Sequence, residues 1–240
     1  MSNKREKRAP ITLPSGGVYT GEWVGNLRDG FGTQEWPDGS RYEGYYRQDR
    51  ATGYGKLYHA DGDVYEGEWV NDQAHGKGTY IHANGAMYTG DWFEDEQHGW
   101  GQEQWPDGAK YEGQYDKGRK HGRGKLVFPE GSYYEGEFRE NEICGNGKYY
   151  WPDGKHFEGQ WQENKMHGFG LLTWADGRKY EGQFIKDQRD GEGTMSWPDG
   201  RKYVGKWKQG KQHGLGTYIK PDGSQRNGEW QMGKKLRWID

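Results

Sequence analysis

The chain has 240 residues, of which 30% are hydrophobic and 16% aromatic, with 43 Gly, 13 Trp and 18 Tyr. The aromatic content excludes a disordered chain and the scarcity of aliphatic residues excludes an ordinary globular core, so we expect thin ordered layers with rings between them. The net charge of −3 excludes a strongly basic nucleic-acid-binding protein, so we expect no nucleic-acid partner. The single cysteine excludes an intramolecular disulfide framework, so we expect a reducing compartment.

The first ten residues form a basic segment, 1–10, that we expect to be a flexible tail. It could contact an acidic partner or bind acidic lipid weakly, at about 1 kcal/mol for each charge near an anionic surface. The cations concerned are Lys4, Arg5, Lys7 and Arg8. Residues 11–18 align with the last strand and turn of a 23-residue repeat, which is described next. They are therefore predicted to be an N-terminal partial repeat that precedes the first full copy.

A 23-residue repeat then runs nine times, from residue 19 to residue 225, without insertion or deletion. Each copy reads Tyr-x-Gly-x-aromatic, six residues, x-Gly-x-Gly, five residues, and an acid or amide followed by Gly. The first position of the nine copies holds Tyr19, Tyr42, Tyr65, Tyr88, Tyr111, Tyr134, Phe157, Tyr180 and Tyr203. An unbroken array of this length leaves no room for a separate catalytic domain in the repeat region.

One copy reads as a hairpin with a second turn at its end. Tyr-x-Gly-x-Trp alternates with period two, which predicts a strand with one packed face, and its central Gly leaves space for a ring. The Gly-x-Gly pair is predicted to open the second strand, as at Gly76–Ile81. The Asp-Gly corner that follows is a tight-turn signature, in which the acid bonds its own backbone.

The last segment, residues 226–240, begins like a tenth copy but departs from the pattern. Arg226 stands where the opening Tyr is expected, and Arg237 stands where the mid-repeat Gly is expected. We therefore predict a degenerate C-terminal repeat that caps the sheet. A sheet edge exposed at either end could also pair with a second copy, which would give a homodimer.

The pattern, as in Tyr65-Glu66-Gly67-Glu68-Trp69, resembles the MORN-repeat family across residues 19–225. The resemblance implies an all-β solenoid, a single elongated and twisted antiparallel sheet of stacked β-hairpins. It also implies a module for assembly or positioning, sometimes credited with binding acidic phospholipids. Because the chain consists of the array, it is most similar to the radial-spoke head and cytoskeletal MORN proteins.

The position between the two mid-repeat glycines is the best candidate for a partner-binding surface. It holds Lys77 and Glu192 in some copies, which predicts exposure to solvent, and large apolar residues in others. Exposed apolar side chains mark contacts with partners, although these rings could instead pad the sheet locally. The candidate residues are Phe31, Tyr54, Trp100, Phe169 and Leu215.

No residue pattern predicts catalysis, a metal site or a cofactor. Five histidines share one repeat position, but copies about 10 Å apart cannot share a metal ion, so we expect a structural hydrogen-bonding role there. They are His75, His98, His121, His167 and His213. The repeated glycines lack the Lys-Ser/Thr and the helix of a phosphate-binding loop.

The sequence therefore predicts a non-enzymatic scaffold for protein–protein assembly, in the cytoplasm and cytoskeleton. The resemblance favours partners in a ciliary or flagellar axoneme, at the radial-spoke head, or in another cytoskeletal complex. Two alternatives stay open, a membrane-surface adaptor that binds phosphoinositides and the regulatory subunit of a separate enzyme. We expect neither a transmembrane helix nor a secretory signal.

Overall fold

The computed structural model describes residues 4–239, so residues 1–3 of the predicted tail and residue 240 of the predicted cap lie outside the described residues. The described part of the chain contains 21 β-strands and no helix. It divides into two compact units, unit 1 at Met1–Arg119 and unit 2 at Lys120–Asp240. The prediction of an all-β array of stacked antiparallel hairpins is confirmed.

Unit 1 contains the first ten strands, and each strand pairs antiparallel with the next one along the chain. Their bounds are β1 Glu6–Thr12, β2 Val18–Val24, β3 Leu27–Glu35, β4 Arg41–Arg47, β5 Arg50–Tyr58, β6 Val64–Val70, β7 Gln73–Ile81, β8 Met87–Phe93, β9 Glu96–Gln104 and β10 Lys110–Asp116.

Unit 2 contains the remaining strands, the first of which begins at the boundary residue, and each again pairs with its successor. Their bounds are β11 Arg119–Val127, β12 Tyr133–Arg139, β13 Glu142–Tyr150, β14 His156–Gln162, β15 Lys165–Thr173, β16 Lys179–Ile185, β17 Gln188–Ser196, β18 Lys202–Lys208, β19 Lys211–Ile219, β20 Gln225–Gln231 and β21 Lys234–Trp238.

The core of each repeat is a ring lying over a pair of glycines. In repeat three (65–87), Gly67 and Gly78 face each other across β6 and β7. A Cβ on either glycine would overlap the Tyr65 side chain, so only glycine leaves room for this ring. Tyr65 also meets Trp69 edge-on at 5.1 Å and Trp92 of the next repeat at 5.1 Å. This predicted use of the central glycine is confirmed, and the rings define the packed face of the sheet.

The six residues after the aromatic form a tight turn and the start of the next strand, rather than a loop. In repeat three the strand opens at Gln73, three residues before the glycine where it was predicted to open. Asn71 and Asp72, which form the turn, have φ angles of 51° and 70°. Positive φ at both central residues is typical of the turn that best matches the twist of a hairpin, so the prediction placed the start of this strand too late.

The second residue of this turn connects it to the turn of the preceding repeat. Asp72 donates its backbone N–H to the Ala51 carbonyl at 3.0 Å, and its side chain accepts the Ala51 N–H at 2.7 Å. Acid or amide side chains make the same bond in the other repeats that carry them at this position. Glycine takes the place of the acid or amide at Gly118, Gly210 and Gly233.

The Asp-Gly corner at the other end of each hairpin has the predicted geometry. Gly39 has a φ of 91°, and its N–H bonds the Trp36 carbonyl at 3.0 Å. The Asp38 side chain accepts the backbone N–H of Ser40 at 2.9 Å. The predicted role of the turn acid, bonding its own backbone, is confirmed here and at six further corners.

At the N-terminus the structure has a strand where a flexible tail was predicted. Residues 6–10, predicted to belong to a flexible tail, lie in β1, because β2 offers a free edge for pairing. This strand has an irregular register near Pro10, and β21 carries Lys234 and Lys235. Irregular register, proline and lysine all hinder pairing between sheet edges. The homodimer through sheet edges stays a prediction, and these features oppose it.

Candidate functional site

The mid-repeat glycines build a bulge on the strand that they open. In repeat three, Gly67 pairs with Gly78 and Trp69 pairs with Ala74, so β7 carries two more residues than β6 between these pairs. Gly76, the first of the two glycines, has a φ of 65° and supplies the left-handed residue that the bulge needs. The residue between the glycines is therefore raised on the face opposite the Tyr65 ring, which we call the outer face.

A side chain from the neighbouring strand caps the bulge in six of the repeats. Glu68 accepts the backbone N–H of Lys77 at 3.1 Å, and Asp91 accepts that of Trp100 at 2.9 Å. The same bond is made by Glu22, Glu137, Gln160 and Gln183. The sequence analysis missed this role, although a recurring acid or amide immediately before the aromatic was a periodic signal of it.

The five predicted surface residues all stand at the crests of these bulges. Between 45% and 61% of each residue's surface is exposed, so they project from the sheet and do not pad it. Three belong to unit 1 and two to unit 2. Trp100, Phe169 and Leu215 make no ring contact in the described part of the chain, whereas Phe31 meets Tyr45 edge-on at 5.4 Å. The structure thus confirms their exposure, and their role in binding stays a prediction.

Unit 1 gathers three exposed rings on adjacent strands, which we call the aromatic cluster: Phe31 on β3, Tyr45 on β4 and Tyr54 on β5. Tyr45, 51% exposed, stands where six other repeats carry the bulge cap. Its side chain has no carboxylate or amide with which to accept the Tyr54 N–H. The Tyr54 hydroxyl donates to Glu66 at 2.9 Å, which fixes that ring at the surface. The sequence analysis missed Tyr45 because the cap position had not been recognised.

The predicted basic contacts are largely engaged within the chain. Arg5 pairs with Asp29 at 2.7 Å and holds the pKa of that carboxyl below its usual value. Arg8 pairs with Glu6 and lies 5.3 Å from the centre of the Trp23 ring. Lys7 lies in β1 opposite Glu22. Lys4 stands before the strand, at the start of the described residues. The tail therefore offers an acidic partner fewer available charges than its sequence indicated.

On the packed face of unit 1, an arginine lies in a cavity of about 440 Å³ with aromatic walls. The Arg28 guanidinium is 4.6 Å from the centre of the Tyr46 ring, and its Nε is 3.2 Å from Asp49 Oδ1. Nη2 donates to the Asp49 carbonyl at 2.7 Å, and Nη1 donates to Gln34 Oε1 at 3.2 Å. Acceptors within the fold thus engage all three nitrogens of Arg28. We call this arrangement the Arg28 site.

Unit 2 places an arginine at the corresponding point of repeat eight (180–202), which we call the Arg189 site. Its guanidinium is 4.6 Å from the centre of the Trp207 ring, 5.6 Å from that of Tyr180 and 5.8 Å from that of Trp174. Nη2 donates to the Gly210 carbonyl at 2.6 Å. Burial lowers the pKa of this guanidinium, and within residues 4–239 no carboxylate pairs with it.

The repeated histidine position serves the adjacent turn. Asp190, which fills it in repeat eight, accepts the backbone N–H of Gln209 at 3.1 Å, and His213 Nδ1 accepts that of Met232 at 3.4 Å. These bonds confirm the predicted structural role at this position. Burial raises the pKa of the Cys144 thiol, which occupies it in repeat six. The described residues contain no cluster of three potential metal ligands.

The structure was also searched for helices that could span a membrane. Within residues 4–239, no helix has the length and apolar character that crossing a bilayer requires.

Comparison with known families identifies the repeat. A family model described as MORN repeat matches nine consecutive segments: residues 19–41, 42–64, 65–87, 88–110, 111–133, 134–156, 157–177, 180–200 and 203–225. These matches have the spacing and phase read from the sequence. Comparison with curated proteins finds no match.

Solved structures of centriolar proteins are similar over much of the chain. One is the SAS-4 (dCPAP) TCP domain of Drosophila melanogaster in complex with a proline-rich motif of Ana2, at 16% identity and a TM-score of 0.40, covering 72% of this chain and 86% of that one. Another is the G-box domain of the microcephaly protein CPAP, at 15% identity and a TM-score of 0.46, covering 84% of this chain and 100% of that one. Both TM-scores lie below 0.5, so the likeness supports no assignment of function.

Proposed function

Since the chain belongs to the MORN-repeat family, whose repeats serve as binding and scaffold modules, we propose that it is a non-enzymatic scaffold that binds protein partners through the outer face of its sheet. The observation that carries this proposal is the aromatic cluster of Phe31, Tyr45 and Tyr54 in unit 1, which exposes three rings on adjacent strands. The remaining crest residues, Trp100, Phe169 and Leu215, offer further single anchors.

Tyr45 supports a binding role because it departs from a rule that most of the array obeys. Six repeats place a carboxylate or amide at this position and cap the bulge with it. Losing such a bond costs about 1 kcal/mol. Tyr45 packs edge-on against Phe31, yet 51% of its surface remains exposed. Local rules are most often broken at functional sites, so the position is explained by contact with a partner.

Rings also suit the energetics of a protein interface. Tyr and Trp dominate hot spots because they bury a large area with few rotatable bonds. Around the cluster, charged groups are already paired, with Lys56 Nζ 3.1 Å from Glu66 and Arg41 bonded to Glu43. A partner that covers the rings would therefore displace little unsatisfied charge. Such a polar rim around an apolar centre is the usual anatomy of a protein–protein interface.

We further propose that the partners belong to a cytoskeletal assembly, with a ciliary or flagellar axoneme and its radial-spoke head as the specific setting. The support for this setting is the resemblance to radial-spoke head and cytoskeletal MORN proteins. The proposed location is correspondingly the cytoplasm and the cytoskeleton.

The test compares the wild-type chain with Tyr45→Glu in a ciliated cell. The glutamate restores the usual bulge cap, so the variant should unfold at the same temperature as the wild type or slightly above it. We expect tagged wild-type protein to stay on axonemes through detergent and to cross-link to neighbours there. Tyr45→Glu should be released, while Lys77→Ala, an exposed change at another crest, should behave as the wild type.

Two results would contradict this proposal. Release of the wild type by detergent would indicate a membrane-surface adaptor, whose basic tail should then be deleted next. Equal retention and equal cross-links for the wild type and Tyr45→Glu would show that the aromatic cluster binds no partner.

A further inference from the structure

Arg189 is a half-buried cation in a stack of rings, and no carboxylate in the described part of the chain pairs with it. The equivalent residue seven repeats earlier is Arg28, whose three side-chain nitrogens all bond acceptors within the fold. Both lie about 4.6 Å from the ring of the following repeat, Tyr46 for Arg28 and Trp207 for Arg189. The surrounding backbone is the same, so the difference lies in the side chains that face the two guanidinium groups.

Two substitutions between equivalent positions remove the acceptors from the Arg189 site. Asp49, which bonds the Arg28 side chain, corresponds to Gly210, and Gln34 corresponds to Met195. Met195 is buried and supplies no oxygen. Arg189 therefore keeps one bond, to the Gly210 carbonyl, where Arg28 makes three side-chain contacts with acceptors.

The unused donors of Arg189 are not fully buried. Among the described residues, the buried side-chain nitrogen and oxygen atoms that lack a partner are Trp23 Nε1 and Arg41 Nε. The remaining Arg189 nitrogens are neither of these, so they are not sealed inside the protein. A guanidinium group held by stacked rings, with unused N–H groups that solvent can reach, is a preformed site for a planar anion.

The charge around the site fits a monoanion. Arg178, which also lies over the Trp174 ring at 5.3 Å, pairs with Asp176 at 2.8 Å. Arg189 is therefore the cation at this site that no carboxylate of residues 4–239 pairs with. A carboxylate matches one charge and accepts two parallel bonds from a guanidinium group, whereas a phosphate dianion would remain partly uncompensated.

The walls of the site favour a side chain over a free ion. Trp174 stands where the N-terminal partial repeat, which precedes repeat one, has the smaller Leu13, so a second indole borders the guanidinium group. This ring surface can pack against the methylene groups of an acidic residue. We propose that Arg189 binds the carboxylate of a single glutamate side chain in a segment of a protein partner. This site lies on the packed face and is independent of the aromatic cluster.

The test uses two blocked pentapeptides, acetyl-Gly-Leu-Glu-Leu-Gly-amide and its Gln twin, titrated into the full chain. The readout is the Nε–Hε NMR resonances of Arg189 and Arg28, each assigned by its Arg→Lys variant. We expect the Glu peptide to shift the Arg189 resonance and to bind about tenfold more tightly than the Gln peptide, as one charge-assisted bond allows. The Arg28 resonance should not respond.

Exchanging the counterion provides matched variants. Gly210→Asp should supply the missing carboxylate and abolish the preference for the Glu peptide, while Asp49→Gly should create a response at Arg28. A third peptide with phosphoserine in place of Glu tests the charge argument. Equal binding of the Glu and Gln peptides, equal shifts at both arginines, or tighter binding of the phosphoserine peptide would each overturn the proposal.

Discussion

Repeat one and repeat eight place an arginine in the same stack of rings, and they differ in what neutralises it. At the Arg28 site, Asp49 and Gln34 supply oxygens to the guanidinium nitrogens. At the Arg189 site, Gly210 and Met195 stand in their places, and one backbone carbonyl accepts a bond. The comparison separates the frame of the repeat, which tolerates little change, from the groups at its surface, which vary without disturbing it.

Substitutions in the frame of the repeat should cause the largest loss of stability. The loss should be equal in repeat one and repeat eight. Gly193→Val places a side chain where the Tyr180 hydroxyl lies, as Gly32→Val does beneath Tyr19. Because the ring is buried and cannot move aside, we expect each variant to lose about 3 kcal/mol of stability toward urea unfolding.

The matched control for the frame is Glu192→Val, one residue away on the exposed crest of the same bulge. It should change the free energy of unfolding by less than about 0.5 kcal/mol. A cost at Glu192 as large as that at Gly193 would show that the packed and outer faces have been assigned wrongly.

Asp49→Gly should give the next largest effect, because it converts the Arg28 site into the form found in repeat eight. The variant removes the bonds from Asp49 to the Arg28 side chain and to its backbone N–H. Hydrogen bonds to a charged group are worth about 1.5–3 kcal/mol, and the Asp49 side chain is 41% exposed, so we expect a loss near the lower figure. Thermal unfolding measures it.

The companion variant Gln34→Met isolates the second acceptor. If the two acceptors contribute independently, the double variant should lose the sum of the single losses. A stability unchanged by Asp49→Gly would mean that stacking on the rings, rather than the counterion, holds Arg28 in place.

The frame was predictable from sequence because each of its positions tolerates few residue types. The ring over the glycine pair, as with Tyr65 above Gly67 and Gly78, requires a recurring Tyr and Gly. The corner at Asp38-Gly39 likewise requires residues with a known turn preference. Periodicity therefore sufficed to predict that each repeat has two strands and which face is packed.

The features that sequence reasoning missed involve contacts between repeats, where spacing alone gives little information. The bond from Asp72 to Ala51 joins residues 21 apart, and the opening of the strand at Gln73 depends on a two-residue turn hidden inside a variable stretch. Tyr45 shows the same limit, since its meaning depends on the cap role of the equivalent residues. The prediction found exposed crests but not the cluster.

Alkaline pH offers a smaller test of the frame. Burial raises the pKa of Tyr19 from 10.0 to about 12, so the folded chain keeps its proton where the unfolded chain loses it. The contribution of Tyr19 to stability is therefore complete below pH 10 and falls as the pH rises from 10 to 12. When the pH is raised from 9 to 11, the free energy of unfolding of Tyr19→Phe should fall by about 1 kcal/mol less than that of the wild type.

Phe157, which naturally lacks the hydroxyl at the same repeat position, supplies the reciprocal variant. Phe157→Tyr should make the chain more sensitive to alkali than the wild type. Parallel pH profiles for the wild type, Tyr19→Phe and Phe157→Tyr would show that alkaline unfolding does not begin at these buried rings.

The smallest expected effect is a gain from Gly210→Asp, which gives repeat eight the counterion of repeat one. Gly210 has a φ of 79°, and Asp187 occupies the equivalent turn one repeat earlier at 71°, so the backbone accepts an aspartate there. Glycine loses more conformational freedom on folding, and the new carboxylate can bond Arg189 and its N–H. We expect about 0.5–1 kcal/mol of added stability, measured as a higher unfolding temperature at pH 7.

The gain should shrink in Arg189→Gln, because part of it comes from pairing with the cation. A loss of stability on Gly210→Asp would mean that the Arg189 site already has its charge compensated within the fold, and the two repeats would then differ less than their side chains indicate.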